Sequence, residues 1–195
     1  MSSSELKEMK VLKRNGCKEI VSFDKILNRV KILGKEHNLK INYTSLVIKV
    51  IDQLHDSIST SKIDELTAEQ AASLATTHPD YSKLASALVV SNLHKNTTAL
   101  FSDAMNKLYN FRDKCNNLKP LLDDNFIEIV NNNAEYFNNL INISRDYLID
   151  YFGFKTLERA YLMHINKVII EHKTQEENPA TSLKLKVLLE SKLGP

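Results

Sequence analysis

The chain has 195 residues, of which 43% are hydrophobic and 26% charged, and its formal net charge is +2. This composition suits a globular protein with a buried core, and so small a charge, scattered among both signs, gives no argument for nucleic-acid binding. No apolar run approaches the roughly 18 residues of a membrane helix, and the first ten residues lack a secretory signal's apolar stretch. We therefore expect a cytoplasmic protein without a membrane or nucleic-acid partner.

Cys17 and Cys115 are the two cysteines of the sequence. They lie far apart and do not form the CxxC spacing of structural zinc sites, so both are expected to be reduced side chains rather than nucleophiles. The six histidines also lack metal-ligand spacing. We interpret His55, His78 and His94 as surface or capping residues, and no metal site is predicted.

Two short β-type runs flank Asn15-Gly16 near the start of the chain. This dipeptide is typical of a type I′ hairpin turn, in which both central residues have positive φ. A helix over 22–35 is predicted to follow at once, with Ser22 as its N-cap. Its apolar face comprises Ile26, Leu27, Val30 and Leu33.

Basic residues stand on both sides of that predicted turn. Lys13 and Arg14 end the first strand, whereas Glu19 and Lys25 lie just past the turn and at the start of the helix. Cations beside a helix N-terminus favour an anion, and phosphate in particular. The segment therefore predicts a phosphate-binding site.

Three more helices are predicted before residue 98. The second carries an apolar stripe, and a polar loop over 57–64 is expected to follow it. Thr67 and Gln70 fit a capping box that opens an alanine-rich helix, and a fourth helix starts after a break at Pro79. The stripe of the second helix is Leu46, Val47, Val50, Ile51 and Leu54, and that of the fourth is Leu84, Ala85, Leu88, Val89 and Leu93.

The rest of the chain is predicted to be helical with interruptions. A mixed polar helix and a linker occupy 99–120, and an amphipathic helix rich in Asn, a poor helix former, occupies 121–143. The segment 151–162 is aromatic and contains Gly153, and the chain becomes hydrophilic after Glu171. The apolar face of the Asn-rich helix would comprise Phe126, Ile129, Val130, Phe137, Leu140 and Ile141.

Three blocks of the sequence resemble one family in the same order. They read KVLKRNGCKEIVSFDK (10–25), DELTAEQAASLATTHPDYSKLASALVVSNLHK (64–95) and DYFGFKTLERAYL (150–162). Together they resemble the ATP-cone and the adjoining N-terminal region of class I ribonucleoside-diphosphate reductase large subunits of the eukaryotic and viral type. The resemblance implies a mainly α fold, in which a short N-terminal β-hairpin packs on a four-helix bundle.

The same resemblance implies how the chain is divided. It predicts a disordered leader over 1–8, an ATP-cone nucleotide-binding domain over 9–98, a helical segment over 99–170 that in the family leads to the catalytic barrel, and a divergent tail over 171–195. The family's thiyl-forming cysteine and redox pair match neither Cys17 nor Cys115. We therefore expect no ribonucleotide reduction by this chain alone, and the departure near Glu171 suggests a truncated or split gene, or a frameshifted tail.

The resemblance also implies a site for ATP or dATP as allosteric effector, with Mg²⁺ accompanying the nucleotide. Lys13, Arg14 and Lys95 match phosphate-binding positions, and Thr60 and Asp64 match positions that hold the nucleotide and read its sugar. The matched set is Lys13, Arg14, Glu19, Ile20, Val21, Ser22, Phe23, Asp24, Lys25, Thr60, Asp64 and Lys95.

Each of these residues also has a simpler interpretation. Lys13 and Arg14 would be a solvated surface pair, and Phe23 would belong to the core. Thr60 would cap a turn, and Asp64 would lie in the first turn of a helix, where an acid complements the helix dipole. The family order of the three blocks, rather than any one residue, favours the nucleotide site.

The function implied by the resemblance is that of an N-terminal regulatory portion. Such a portion binds ATP or dATP and controls overall activity and assembly in deoxyribonucleotide synthesis, with a reductase large or small subunit as partner. The alternatives are a free-standing nucleotide-binding module that docks on a separate reductase, a degenerate remnant, and a helical domain without a ligand.

Overall fold

The computed structural model describes residues 9–113 and 115–162, together with the backbone of 164–165 and 168–169. The fold is mainly helical, as predicted, with a small sheet near the N-terminus. The predicted leader (1–8) and divergent tail (171–195) lie outside the described residues. The elements are β1 (Lys10–Leu12), β2 (Lys18–Ile20), α1 (Phe23–Glu36), α2 (Tyr43–Ile51), β3 (Ile58–Ser59), α3 (Thr60–Ser73), α4 (Pro79–Asn96), α5 (Phe101–Tyr109), α6 (Asp124–Asn132), α7 (Ala134–Leu140), a 3-10 helix (Ile143–Leu148), α8 (Tyr151–Ala160), β4 (His164–Ile165) and β5 (Val168–Ile169).

The first sheet has the strand order β2-β1-β3. β1 pairs antiparallel with β2, and it pairs parallel with β3 through the register of Val11 with Ile58. The predicted polar loop over 57–64 is therefore wrong. Ile58 is 2% exposed and packs in one cluster with Val11, Val50 and Ile63, so a hydrophobic contact distant in sequence makes this polar segment a strand.

The hairpin turn also differs from the predicted type I′ turn. Gly16 has φ +82°, whereas Asn15 is not among the residues with positive φ. The backbone N–H of Gly16 donates to the carbonyl of Lys13, and the N–H of Lys13 donates to the carbonyl of Cys17, so the loop is one residue longer than predicted. This is the three-residue hairpin loop, in which only the last position needs the left-handed conformation.

Helix α1 begins where the sequence predicts. The Ser22 side chain accepts a hydrogen bond from the backbone N–H of Lys25 at 3.4 Å, which satisfies one of the free N–H groups at the helix start. Val30 and Leu33 are buried, and Ile26 and Leu27 pack against the cores from partly buried positions. Both the cap and the predicted apolar face are thus confirmed.

The predicted capping box at Thr67 is wrong. Helix α3 starts at Thr60, and Ser59 caps it by accepting from the backbone N–H of Lys62 at 3.1 Å. Thr67 lies in the middle of the helix, and its hydroxyl donates to the carbonyl of Ile63 at 2.7 Å. Thr67 is 1% exposed because the small residues of this helix lie close against α4.

Helix α4 is the centre of the larger core. Pro79 is its first residue, and the His78 side chain accepts from the N–H of Asp80 at 3.2 Å, which confirms the break and the capping role of His78. The predicted stripe is buried, and Leu84 and Leu88 have no exposed surface. Full burial of a leucine contributes about 1.5–3 kcal/mol, so α4 contributes strongly to stability.

The Asn-rich stretch forms two helices instead of one. The predicted helix over 121–143 is interrupted at Asn133 between α6 and α7, since several Asn residues near this point disfavour helix continuation. Its buried contact with α5 is made by Ile127 and Val130, which pack against Met105 and Leu108. Ile127, which the prediction omitted, is buried, while Ile129 is only partly buried.

The segment after residue 142 packs back on α4. Ile149, Tyr151 and Phe154 belong to the same buried cluster as Leu84 and Leu88. The Ser86 hydroxyl also donates a hydrogen bond to the carbonyl of Ile149. The larger core thus includes residues on both sides of position 98. Within the described part of the chain, no helix is long and apolar enough to cross a membrane.

Candidate functional site

A cavity of about 160 Å³ lies between the β-hairpin and helices α1, α3 and α4. Its lining residues come from the hairpin, the start of α1, the first half of α3 and the end of α4. Ten of the twelve predicted site residues line it, namely Lys13, Arg14, Glu19, Ile20, Val21, Ser22, Lys25, Thr60, Asp64 and Lys95.

Phe23 and Asp24 do not line this cavity. They occupy the first two positions of α1, between the cavity-lining Ser22 and Lys25. Phe23 is 49% exposed, so it is not the core residue that its simpler interpretation predicted. Apolar surface next to the hairpin therefore faces solvent at this position.

Positively charged side chains outnumber negatively charged ones around the cavity. Five cationic side chains line it against two carboxylates, those of Glu19 and Asp64. The rest of the wall includes apolar side chains that the sequence analysis did not assign to the site, Val11, Ile26, Val30 and Ile63. A cavity with excess positive charge and an apolar wall suits a ligand that joins an anionic group to a flat or apolar one.

Glu19 holds two of the cations. Its carboxylate forms ion pairs with the ammonium groups of Lys13, in the hairpin, and Lys25, in α1. The hydrogen bond from Lys13, followed by the one from Lys25, lowers the pKa of Glu19 from 4.5 to about 2. Glu19 is therefore ionised at neutral pH, and its carboxylate occupies the position where the two ammonium groups converge.

Asp64 lies at the floor of the cavity in contact with two guanidinium groups. Its Oδ2 atom is 3.1 Å from Nη2 of Arg14 and 3.5 Å from Nη2 of Arg29. Asp64 is 7% exposed and lies in the second turn of α3, not in the first as predicted, because the helix starts earlier. The residue is thus a buried counter-ion rather than a partner of the helix dipole.

Arg14 is held by a polar network as well as by Asp64. Its Nε donates to Oδ1 of Asn96 at 2.8 Å, and its Nη2 donates to Oδ1 of Asn92. The Ser61 hydroxyl also donates to Oδ1 of Asn92 at 3.1 Å, which joins the start of α3 to α4. Arg14 is therefore a structural link across the site, although the residue itself is exposed, as its simpler interpretation predicts.

Arg29 is the charged cavity residue that the sequence analysis missed. It follows Lys25 by four residues and Ser22 by seven, so all three lie on one face of α1, a spacing that could have identified it. Its Nη2 donates to the Ser91 hydroxyl at 2.8 Å. Its Nε is buried and has no hydrogen-bond partner among the described residues.

Lys95 lies in the last turn of α4 at the edge of the cavity. In the described part of the chain it has no carboxylate within 4 Å, although Asp64 and Glu36 act on it over a longer range. Partial burial, followed by the charge of Arg29, lowers the pKa of Lys95. An anion in the cavity would favour the charged ammonium of Lys95 and so oppose the lowering of its pKa.

Thr60 is the first residue of α3 and lines the cavity directly after β3, the strand that pairs with β1 of the hairpin. Its predicted simpler role as a cap is taken by Ser59, whose side chain accepts from the N–H of Lys62. The Thr60 side chain therefore belongs to the wall of the cavity at the helix start.

His94 also differs from the prediction of a surface or capping residue. Its Nε2 atom lies 2.8 Å from Oδ2 of Asp146, which is 2% exposed, and the ring packs edge-on against Tyr147. Among the described residues, no group of three or more His, Cys, Asp or Glu side chains could hold a metal ion. Cys17 and Cys115 are exposed free thiols.

Comparison with known proteins fits this geometry. Residues 9–96 match the family model described as the ATP cone domain. These residues belong to the ATP-cone family. The matched range extends from the residue before β1 to the last residue of α4 and so includes every residue that lines the cavity.

The chain is also similar to ribonucleoside-diphosphate reductase large subunits. It is 43% identical over 167 residues to that of Caenorhabditis elegans, covering 85% of this chain and 21% of the relative. It is 42% identical over 165 residues to that of variola virus (84% and 21%) and 41% identical over 167 residues to that of Arabidopsis thaliana (84% and 20%). The chain spans about a fifth of the length of these curated relatives. The ATP cone thus occurs here together with further sequence similar to the large subunits.

Proposed function

We propose that the ATP cone binds ATP and dATP in the cavity between the hairpin and helices α1, α3 and α4. The observation that supports this most is the excess of charge at the cavity, where five cations face two carboxylates. A nucleoside triphosphate carries several negative charges, and charge-assisted hydrogen bonds to phosphate are among the stronger polar contacts. The apolar wall offers the base a surface on which to pack.

In this proposal, Lys13, Lys25 and Lys95 bind the phosphates. Lys13 and Lys25 already converge on the carboxylate of Glu19, which keeps both ammonium groups near one point before a ligand arrives. Lys95 approaches from the end of α4 and is partly desolvated. The phosphates would neutralise these charges, with Mg²⁺ accompanying them.

The sugar would lie near the start of α3. Thr60 and Asp64 line that part of the cavity, and a hydroxyl or carboxylate there can distinguish ribose from deoxyribose by a hydrogen bond to the 2′-hydroxyl. The two effectors differ at this one atom. For ATP and dATP to act differently, each nucleotide must favour a different state of the protein, since equal affinity for both states shifts nothing.

The similarity to reductase large subunits extends the proposal to the role of the chain. We infer that it is the N-terminal allosteric regulatory portion of such a subunit and that it controls overall activity and assembly in deoxyribonucleotide synthesis. Its partners would be the reductase large and small subunits. The chain carries no assigned catalytic residue in this proposal, because the nucleotide acts as an effector.

Calorimetric titration of the whole chain with ATP and with dATP tests nucleotide binding. We expect a Kd on the order of micromolar for the parent and at least tenfold weaker binding by the double variant Lys13→Ala, Lys25→Ala. These two lysines contact Glu19 and not the network around Arg14, so the fold should persist. Lys49→Ala on the exposed side of α2 is the matched control. A chain that is folded by circular dichroism but binds neither nucleotide would overturn the proposal.

A further inference from the structure

The 3-10 helix Ile143–Leu148 packs on α4 outside the cavity. The ring of Tyr147 lies between those of His37 and His94, with centroid distances of 4.9 and 5.5 Å. The buried carboxylate of Asp146 contacts Nε2 of His94 at 2.8 Å. These contacts, together with the buried Ile149, hold the segment 143–154 against the ATP cone.

Arg29 connects this segment with the cavity. Its guanidinium lines the cavity and contacts Asp64, yet the same Nη2 donates to the Ser91 hydroxyl at 2.8 Å. Ser91 lies on α4 one turn before His94, whose ring packs edge-on against Tyr147 at a centroid distance of 5.5 Å. Burial raises the pKa of Tyr147, and the Ser91 hydroxyl and the charge of Arg29 both oppose that rise. The path from the cavity to Tyr147 therefore runs through Arg29 and one serine.

The guanidinium of Arg29 lines the cavity while its Nη2 keeps the contact with Ser91. Nη2 donates to Ser91, whereas Nε is buried without a hydrogen-bond partner among the described residues. A guanidinium with an unpaired donor is left with an uncompensated cost, so an anion in the cavity that reaches this guanidinium would be bound favourably. That additional bond would fix the guanidinium plane and hold Nη2 on Ser91.

We propose that Arg29 contacts the phosphates of the bound nucleotide and, through Ser91 and Tyr147, couples occupancy of the cavity to the packing of segment 143–154. This inference rests on the proposed nucleotide site. Occupancy strengthens the packing of the segment, because the ligand adds a bond to Arg29 and removes none. By reciprocity, a weaker packing of the segment lowers the affinity for the nucleotide.

Hydrogen–deuterium exchange of the whole chain, with and without saturating ATP, tests the coupling. We expect ATP to slow exchange at least twofold both at the start of α1 and over 143–154, although the latter segment does not line the cavity. Slowing at α1 without any change over 143–154 would overturn the coupling alone. No slowing at either place would overturn the proposed nucleotide site and the coupling with it.

Two variants isolate the path. Without nucleotide, Arg29→Gln should speed hydrogen–deuterium exchange over 143–154 at least twofold. Lys25→Gln is the control, because it also removes a cavity cation but one that contacts Glu19, and it should leave this exchange unchanged. Equal exchange in Arg29→Gln and the parent would overturn the coupling. Tyr147→Phe keeps the ring and leaves the cavity intact, and we expect it to weaken ATP binding several-fold in calorimetry. An unchanged affinity in Tyr147→Phe would contradict the proposal.

Discussion

Asp64 accepts a hydrogen bond from Arg14 at 3.1 Å across a separation of 50 residues in the sequence. This contact joins the hairpin loop to the second turn of α3. Because Asp64 is 7% exposed and also contacts Arg29, one carboxylate balances two guanidinium groups at the floor of the cavity. The same residues that would surround a nucleotide therefore also hold the ATP cone together.

The first prediction concerns this carboxylate. Asp64→Asn should lower the free energy of unfolding by about 2–3 kcal/mol, since it leaves two partly buried guanidinium groups without their counter-ion. Urea denaturation followed by circular dichroism measures the change. Asp52→Asn, at an exposed carboxylate at the end of α2, is the control and should change the stability by less than about 0.5 kcal/mol. Equal stability of the two variants would show that the Arg14 contact is of little importance.

The second prediction concerns Glu19 and pH. Its pKa is lowered from 4.5 to about 2, so its ion pairs stabilise the fold above pH 4.5, and this contribution is lost as the pH falls toward about 2. Glu19→Gln should therefore have a lower thermal midpoint than the parent at pH 7, and the difference should vanish near pH 2. Thermal unfolding at a series of pH values checks this. A difference that stays constant over that range would exclude the ion pairs as its cause.

The third prediction concerns Lys95 and the pH dependence of binding. Its lowered pKa means that it loses its proton at a pH below the ordinary value of 10.5. Nucleotide affinity should fall as the pH is raised from 7 to about 9.5, and Lys95→Ala should bind more weakly at pH 7 but show a smaller fall. Titration calorimetry at both pH values gives the comparison, with Lys49→Ala as control. If Lys95→Ala retains the full fall, another group is responsible.

The fourth prediction concerns the contact between α1 and α2. A Cβ atom at Gly34 would overlap the ring of Tyr43, whose hydroxyl donates to the carbonyl of Leu39 at 2.7 Å. Gly34→Ala should therefore cost about 1–3 kcal/mol through overpacking, despite the higher helix propensity of alanine. Denaturant unfolding measures the cost, and Asn28→Ala on the exposed face of the same helix should be neutral or stabilising. A stabilised Gly34→Ala variant would show that the Tyr43 ring moves aside freely.

Much of the candidate site follows from a short stretch of sequence. The N-cap at Ser22 and the apolar face of α1 were predicted correctly because caps and helical periodicity depend on residues within one or two turns. Lys13, Glu19 and Lys25 line the cavity because the hairpin leads directly into that helix. The resemblance between sequence blocks supplied Thr60, Asp64 and Lys95, which no local pattern would have joined to them.

Other features could not be derived from local patterns. The start of α3 was misplaced because Thr67 and Gln70 imitate a cap, whereas the helix is fixed earlier by Ser59 and by the pairing of β3 with β1. Phe23 was interpreted as a core residue from its type, yet its helical position faces solvent. Arg29 was missed because its role depends on Asp64 and Ser91, which lie on two other helices.

The sequence by itself determined most of the helical elements, the presence of the hairpin, the main apolar faces of the core and most of the cations at the cavity, since these depend on composition and short-range periodicity. The tertiary structure decided which charges are paired, that Asp64 is a buried counter-ion, and that the segment after residue 142 packs on α4 through His94 and Tyr147. The physical reason is that burial and ion pairing depend on distances between residues remote in the chain, and those distances are set only when the helices pack.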